Sequence, residues 1–589
     1  MRGRGILLGM ALVLSAGLLP LLRGEPARLA AQDSPLAQES PLLTPPAVDS
    51  PQPAPTATPT ATATTAATRT PTATPTVTPS ATPGATSQAT SQATATRTPT
   101  PAAPRGSAGA AAPATGIAAL DLDEFDAFVA DAVERFDAPG AAVAIIADDA
   151  VLLAEGYGVR QLGAAAPVDA DTRFQLGSAS HFLLASGAAA LAGAGAVELD
   201  RPVVEYLPEF DLYDAYAGDH TTLRDLFAHR TGLPANRGDL IDKMGFDRSA
   251  ALAQLQFLPP AVSFRERDGF TNLGIFAAGE VLAAAENMAW EEILAERIFA
   301  PLGMSRSSGY YDALLEDENV AAAHFADGAA LTVGDWADLP VLSAAGQSAS
   351  TAADLAAWMR MLLAAGEFAG EPVLTAEQVA ELFAPASVGG DGGPLQDPLS
   401  ARCLGCTTYY YRGHRIVEAA GAAPGTRALL LLAPDDDLGL VVLANRDLTA
   451  LPEAVRGAFL EAVFGPAGRD LQADARNLAA GWQEQSAPPA PPPDPFEPTL
   501  ALTAYAGQYT SDFYGAWTIT SLLGEDRLEV AAGQNGFPGD LLPFDGDTFL
   551  LTWDAAGAGH DLLTFTVGED GSVAGFTSPA YGDFTRTGE

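Results

Sequence analysis

Lysine is nearly missing from this 589-residue chain: of 31 basic residues, all but Lys243 are arginine, so chemistry that needs an amine side chain has a single candidate. Positive charge is scarce altogether. The 73 acidic residues leave a formal net charge of -42, which excludes a phosphate-tracking surface, because nucleic-acid binding rests on clustered Lys and Arg. Cysteine is limited to Cys403 and Cys406 in a CLGC pair. Two thiols are too few for a disulfide scaffold or a structural zinc site, although export would permit one small disulfide. No metal and no cofactor is expected. Beyond residue 22 no apolar run is long enough to cross a bilayer, so no membrane contact is expected apart from the N-terminus.

What is present divides the chain. Arg2 and Arg4 precede an apolar run from Ile6 to Leu22, followed by small residues at Ala30 and Ala31. This is the pattern of a secretory signal peptide, residues 1–31, with an uncleaved anchor as the competing reading. Export to the cell envelope or beyond is therefore expected. Residues 32–116 are dominated by Ala, Thr, Pro and Ser, with TPTATPT-like repeats, and hold too few large apolar groups to form a core. They read as an extended, polyproline-rich stalk. A second break, SAPPAPPPDPFEP from Ser486 to Pro498, falls in an expected linker, 471–499. It separates a main domain, 117–470, from a tail, 500–589.

The main domain reads as α/β. Leu120 to Phe136 has helical periodicity, and Ala141 to Ile146 with Val151 to Tyr157 read as a hairpin turning at Asp148 and Asp149. Arg415 to Val417, Arg427 to Leu432 and Leu438 to Leu443 read as short strands, and Leu451 to Phe464 as a closing helix. Strands at both ends with helices between them predict one mixed domain whose sheet is assembled from the two ends.

The segment DTRFQLGSASHFLLASGAAALAGAGAVELDRPVVEYLPEF, Asp171 to Phe210, resembles the nucleophile region of serine β-lactamases and penicillin-binding proteins, in their class C and esterase-like branch. DAPGAAVAIIADDAVLLAEGYGVR before it, then TTLRDLFAHRTGLP and ERIFAPLGM after it, resemble that branch in the same order. The tail, from LTAYAGQYTSDFYGAWTIT, resembles the small β-barrel often appended to such proteins. The resemblance implies an antiparallel sheet flanked by helices with a helical subdomain, plus an all-β barrel.

It also implies a catalytic apparatus, and each position is read separately. The family's Ser-x-x-Lys places a nucleophile and a lysine one turn apart on a helix. Here it reads Ser178-Ala179-Ser180-His181, and Lys243 cannot complete it because Leu240 stands three residues before. Tyr-x-Asn becomes Phe270-Thr271-Asn272, keeping the amide and losing the phenol. His-x-Gly becomes Ala419-Ala420-Gly421, losing the imidazole. His414, five residues earlier, is no obvious substitute. The backbone N–H groups of Ser178 and Ala422 would form the family's oxyanion hole, which side-chain replacement does not touch.

His181 stands three residues from Ser178 and has an ordinary pKa of about 6.5, so a Ser-His dyad is one reading and a space-filling imidazole is the other. His229 reads as a turn or capping group. Tyr409, Tyr410 and Tyr411 read equally as cleft lining or as a hairpin face. Three functions follow: a pseudoenzyme that binds peptide or cell-wall-like ligands, a serine hydrolase acting on esters or D-amino-acid peptides through Ser178 and His181, or an envelope scaffold using stalk and barrel. A peptide, ester or muropeptide is the expected partner, and the oligomeric state is left open.

Overall fold

The computed structural model describes residues 116–588 apart from 328–329, 389–394, 396–398, 523 and 556. The expected signal peptide and nearly all of the expected stalk lie outside the described residues.

Helix α1, Leu122–Arg135, begins where the Asp121 carboxylate accepts hydrogen bonds from the N–H groups of Asp123 and Glu124, both at 3.1 Å. Its buried Phe125, Val129, Ala132 and Val133 form one helical face. Strands β1 (Gly140–Ala147) and β2 (Ala150–Gly158) follow as a hairpin, turning through Asp148 and Asp149 at φ of 49° and 59°. Two successive positive φ values give the turn a twist that suits the strands, and Asp tolerates them better than most residues.

The main sheet is antiparallel, in the order β2-β1-β8-β7-β6-β5-β4-β3. Its other strands are β3 (Ser387–Val388), β4 (Ala401–Arg402), β5 (Thr407–Tyr411), β6 (His414–Ala423), β7 (Thr426–Ala433) and β8 (Leu438–Ala444). The first strand lies beside the last, with Val143 opposite Val442, so the sheet is closed from the two ends of the domain as expected. β6 extends well past the expected end at Val417 because it pairs with β7 as far as Ala423, although its AAGAA stretch carries none of the bulky apolar residues that mark a strand.

Both faces of this sheet are covered, which is why every residue of β1 is buried. Ala141, Val143 and Ile145 face α1 and α5 (Leu451–Phe464), while Ala142, Ala144 and Ile146 face α2 (Ser180–Gly193) and α4 (Ala352–Leu363). A third large helix, α3 (Asn272–Glu286), crosses the helical subdomain behind α2.

The expected linker is partly helix. α6, Leu471–Ser486, is capped by Asp470 and buries Leu471, Ala475 and Ala479 against the domain, while Gln472 Nε2 donates to Ala454 O at 2.8 Å. The i, i+4, i+8 apolar spacing was diluted by polar neighbours, so only residues 487–499 connect the domains without helix or strand. The tail forms a closed eight-stranded antiparallel barrel, from β9 (Gly507–Ser511) to β16 (Gly582–Gly588), filled by aromatic rings such as Tyr509, Trp517, Phe565 and Phe576. The barrel docks on the segment after helix-turn residues 229–233. Gly238 N donates to Tyr514 Oη at 3.1 Å, Arg237 Nη2 to Pro579 O at 2.8 Å, and Gln534 N to Met244 O at 2.8 Å.

One tight contact positions the site. Between Leu176 and Ala179 the chain passes so close to β6 that a Cβ on Gly421 would stand 1.9 Å from Leu176 O, and one on Gly177 (φ 54°) would stand 2.3 Å from Ala422 O. Beneath it, Glu418 is buried and accepts from Arg456 Nη1 at 2.9 Å and Tyr409 Oη at 2.7 Å.

Two stability measurements check these contacts. Gly421→Ala should cost at least about 1–3 kcal/mol in chemical denaturation, because the obstacle is backbone and cannot swing aside. Arg456→Met should cost about 3–5 kcal/mol, because it leaves the Glu418 charge buried without its partner.

Candidate functional site

Ser178 sits in a single 3₁₀ turn, Gly177–Ala179, at the head of α2. The turn is pinned from three sides. Leu176 N donates to Ser348 O at 2.9 Å, Thr426 Oγ1 donates to Gln175 O at 3.1 Å, and the Gln175 side chain clamps the Ala337 backbone through both its amide nitrogen and oxygen. The serine is half-buried and opens onto a cavity of about 490 Å³, within the usual range for small-molecule sites. Ala422 lines the same cavity. The two backbone positions that the resemblance assigns to an oxyanion hole therefore flank one space.

The three altered positions also meet. His181, Phe270 and Ala419 line a second, much smaller cavity of about 40 Å³ on the inner side of Ser178, together with His229, Arg402 and Glu418. That is room for about one water molecule. Residues 89 and 238 positions beyond His181 in the chain thus surround the same few atoms.

The His181 ring is buried, lies nearly parallel to Phe270 with centroids 5.5 Å apart, and stands 5.5 Å from His229. Its Nε2 has no hydrogen-bond partner, and no hydrogen bond joins it to Ser178 among the described residues. Burial pushes its pKa down to about 3, aided by the Arg402 charge, while contacts with the Ala345 backbone and Asn272 offset this only in part. The imidazole is therefore neutral at any ordinary pH. His229 is held well below its usual value by burial and by His181, and its Nδ1 accepts the Thr271 N–H at 3.3 Å, at the head of α3. That is a capping role.

Other sequence candidates fall elsewhere. His414 pairs with Asp436 at 2.9 Å and stacks on Phe464. Tyr409 and Tyr411 serve the hairpin, donating to Glu418 and to Gly465 O. Cys403 and Cys406 form a disulfide, and Gly405 between them lies against the start of α2, where a Cβ would come 2.4 Å from His181 O. Among the described residues no group of His, Cys, Asp and Glu is arranged to hold a metal ion.

Several cavity residues carry no local motif. Asn272 Nδ2 donates to Asp239 Oδ1 at 3.0 Å, and Asp239, Asp242 and Lys243 all reach the cavity from one short segment, DLIDK. The only lysine therefore stands at the site after all, although outside the Ser-x-x-Lys pattern; its Nζ donates to Asp338 O at 3.3 Å. Burial raises the Asp239 and Asp242 carboxyls to about 6. Asp242 is engaged by the Val341 and Leu342 N–H groups, whereas Asp239 has only the Asn272 amide. The barrel completes the wall with Ala555, Gly557 and Ala558. Asn272 was read from its motif and Lys243 stood out as the only lysine, whereas Asp239 and Asp242 had no signal beyond the acidic residues of DLIDK, shortly after TGLP.

Comparison with known proteins agrees with this architecture. Residues 125–463 match the Beta-lactamase family model, and 491–588 match a Domain of unknown function (DUF3471). An unguisins hydrolase of Aspergillus violaceofuscus is 27% identical over 74% of this chain and 84% of that protein. A D-aminopeptidase of Cereibacter sphaeroides is 24% identical over 71% of this chain and 74% of that protein. The octameric penicillin-binding protein homologue from Pyrococcus abyssi superposes with a TM-score of 0.51 at 18% identity, covering 80% of this chain and all of that one. With its model matched over more than half of the residues, the chain belongs to the Beta-lactamase family, with an antiparallel strand barrel as its second domain.

Proposed function

We propose that this protein is a ligand-binding member of its family that has lost catalysis, exported and held on its Pro/Thr/Ala-rich stalk at the cell envelope. One observation carries the reading: the three positions that would move protons, His181, Phe270 and Ala419, converge beside Ser178, and none of them offers a competent base. An alanine and a phenyl ring cannot take a proton. A neutral imidazole with a pKa of about 3 is too weak a base to activate a hydroxyl near neutral pH, where positioned bases typically contribute about 10²- to 10⁴-fold. This counts against a Ser178–His181 hydrolase.

What remains suits binding. Ser178 and Ala422 flank a place for a carbonyl, and Asp239 supplies a carboxylate at the same cavity. A peptide with a free amino group answers both features, the carbonyl at the serine turn and the ammonium at Asp239. The barrel lines this pocket, which favours a joint role over a scaffold in which the middle domain is only a spacer.

Fluorophosphonate and fluorescent β-lactam labelling, with Ser178→Ala as control, is expected to give no Ser178-dependent signal and no ester turnover. Specific labelling together with turnover would overturn the reading. The triple variant His181→Lys, Phe270→Tyr, Ala419→His is expected to gain Ser178-dependent labelling, since the turn and strand are already in place. For an amine-bearing peptide, affinity should rise with pH through about 6 as Asp239 and Asp242 lose their protons, and calorimetric titrations from pH 5 to 8 should find that rise reduced in Asp239→Asn and abolished in Asp239→Asn, Asp242→Asn.

A further inference from the structure

The cavity at Ser178 does not end at its own walls. Phe325, Ala422, Ala423, Pro424 and Gly557 line it and also line a second, more open space of about 800 Å³ on their other side. Beyond these shared residues, three separate parts of the chain wall this outer space, over a floor from Arg427, Asp447 and Leu448. The hairpin Ala323–Asp327 and Ala330–Gly334 contributes Ala326 and Thr332, α6 contributes Trp482, Gln485 and Ser486, and the barrel contributes Gly557, Gly559 and His560. Its floor is ordered. The Arg427 guanidinium lies over the Trp482 ring at 4.3 Å and is ion-paired with Glu453, and the Asp447 carboxylate is fixed by the Ala326 N–H at 2.8 Å.

We propose that these two spaces are lobes of one cleft, and that the outer lobe takes the trailing residues of an extended peptide whose leading residue sits beside Ser178. The proposal rests on the binding role set out above and adds where a longer ligand goes. Polarity follows from the lining. Asp239 and Lys243 belong to the inner lobe alone, Trp482 and Gln485 to the outer lobe alone, and the carbonyl position at Ser178 and Ala422 lies near the shared neck. An amino group at Asp239 therefore sends the rest of the chain outward.

A peptide fits the outer lobe better than a glycan does. The lobe offers an amide, a hydroxyl and a hairpin whose second strand, Ala330–Gly334, pairs only with the first, a backbone edge of the kind that extended peptides use. Its one tryptophan already has an arginine over it, so it gives no open aromatic platform for a sugar ring.

Isothermal titration of the full chain with dialanine and pentaalanine, in the L and D series, tests this. In the better-bound series pentaalanine is expected to bind about tenfold or more tightly than dialanine, a difference of about 1.4 kcal/mol. Trp482→Ala and Gln485→Ala are each expected to reduce pentaalanine affinity and leave dialanine unchanged; Gln485 is exposed, so its variant carries no folding risk. Equal affinity for the two lengths, or variant effects equal on both, would overturn the two-lobed cleft while leaving the binding role intact. Binding of tetra-N-acetylglucosamine with no gain from peptide length would overturn it in favour of a glycan. Absence of any peptide binding would overturn both readings.

Discussion

The contact between the Leu176–Ala179 turn and the end of β6 is the constraint from which the site follows. Two backbones approach closer than any side chain permits, and glycine at 177 and 421 is the condition for that approach. It sets Ser178 beside Ala422, aims α2 into the interior, and leaves a cavity on one side of the serine and a small void on the other. None of this depends on which side chains stand at 181, 270 and 419. Beside that turn stand a small void and three buried polar atoms without partners, His181 Nε2, Thr271 Oγ1 and Asn272 Oδ1.

The electrostatic character of the site has moved accordingly. On the inner side of Ser178 the groups are either neutral or paired: two imidazoles held uncharged by burial, Arg402 against Asp268, and Glu418 against Arg456. The ionisable groups free to meet a ligand lie on the outer side, where Asp239 titrates close to neutral pH. The charge-bearing side chains on that side are the carboxyls of Asp239 and Asp242 and the single amine, Lys243.

Much of this was legible in the sequence because it is local. The Asp148–Asp149 turn, the closing helix Leu451–Phe464 and the three motif positions each depend on residues within a few places of one another. The parts that were missed depend on distant partners. The length of β6 comes from a neighbour strand rather than from its own alanines. α6 was hidden in a linker because its buried stripe is small and its surroundings polar. Asp239 and Lys243 matter only because the chain returns past Ser178, and Lys243, excluded from the lysine motif by spacing, reaches the cavity by folding. Resemblance assigned Ser178 its place in the motif, whereas the burial of His181 follows from packing that no local pattern records.

The barrel's contribution to the wall also bears on the order in which the protein becomes functional during synthesis. Ala555, Gly557 and Ala558 emerge from the ribosome some 375 residues after Ser178, so the main domain can close its sheet, with β8 in place, long before its pocket has a full perimeter. Until those residues dock, the Ser178 cavity stands open along one side. A chain cut short before residue 555 would keep its serine turn yet leave the Ser178 cavity without the barrel's part of its wall.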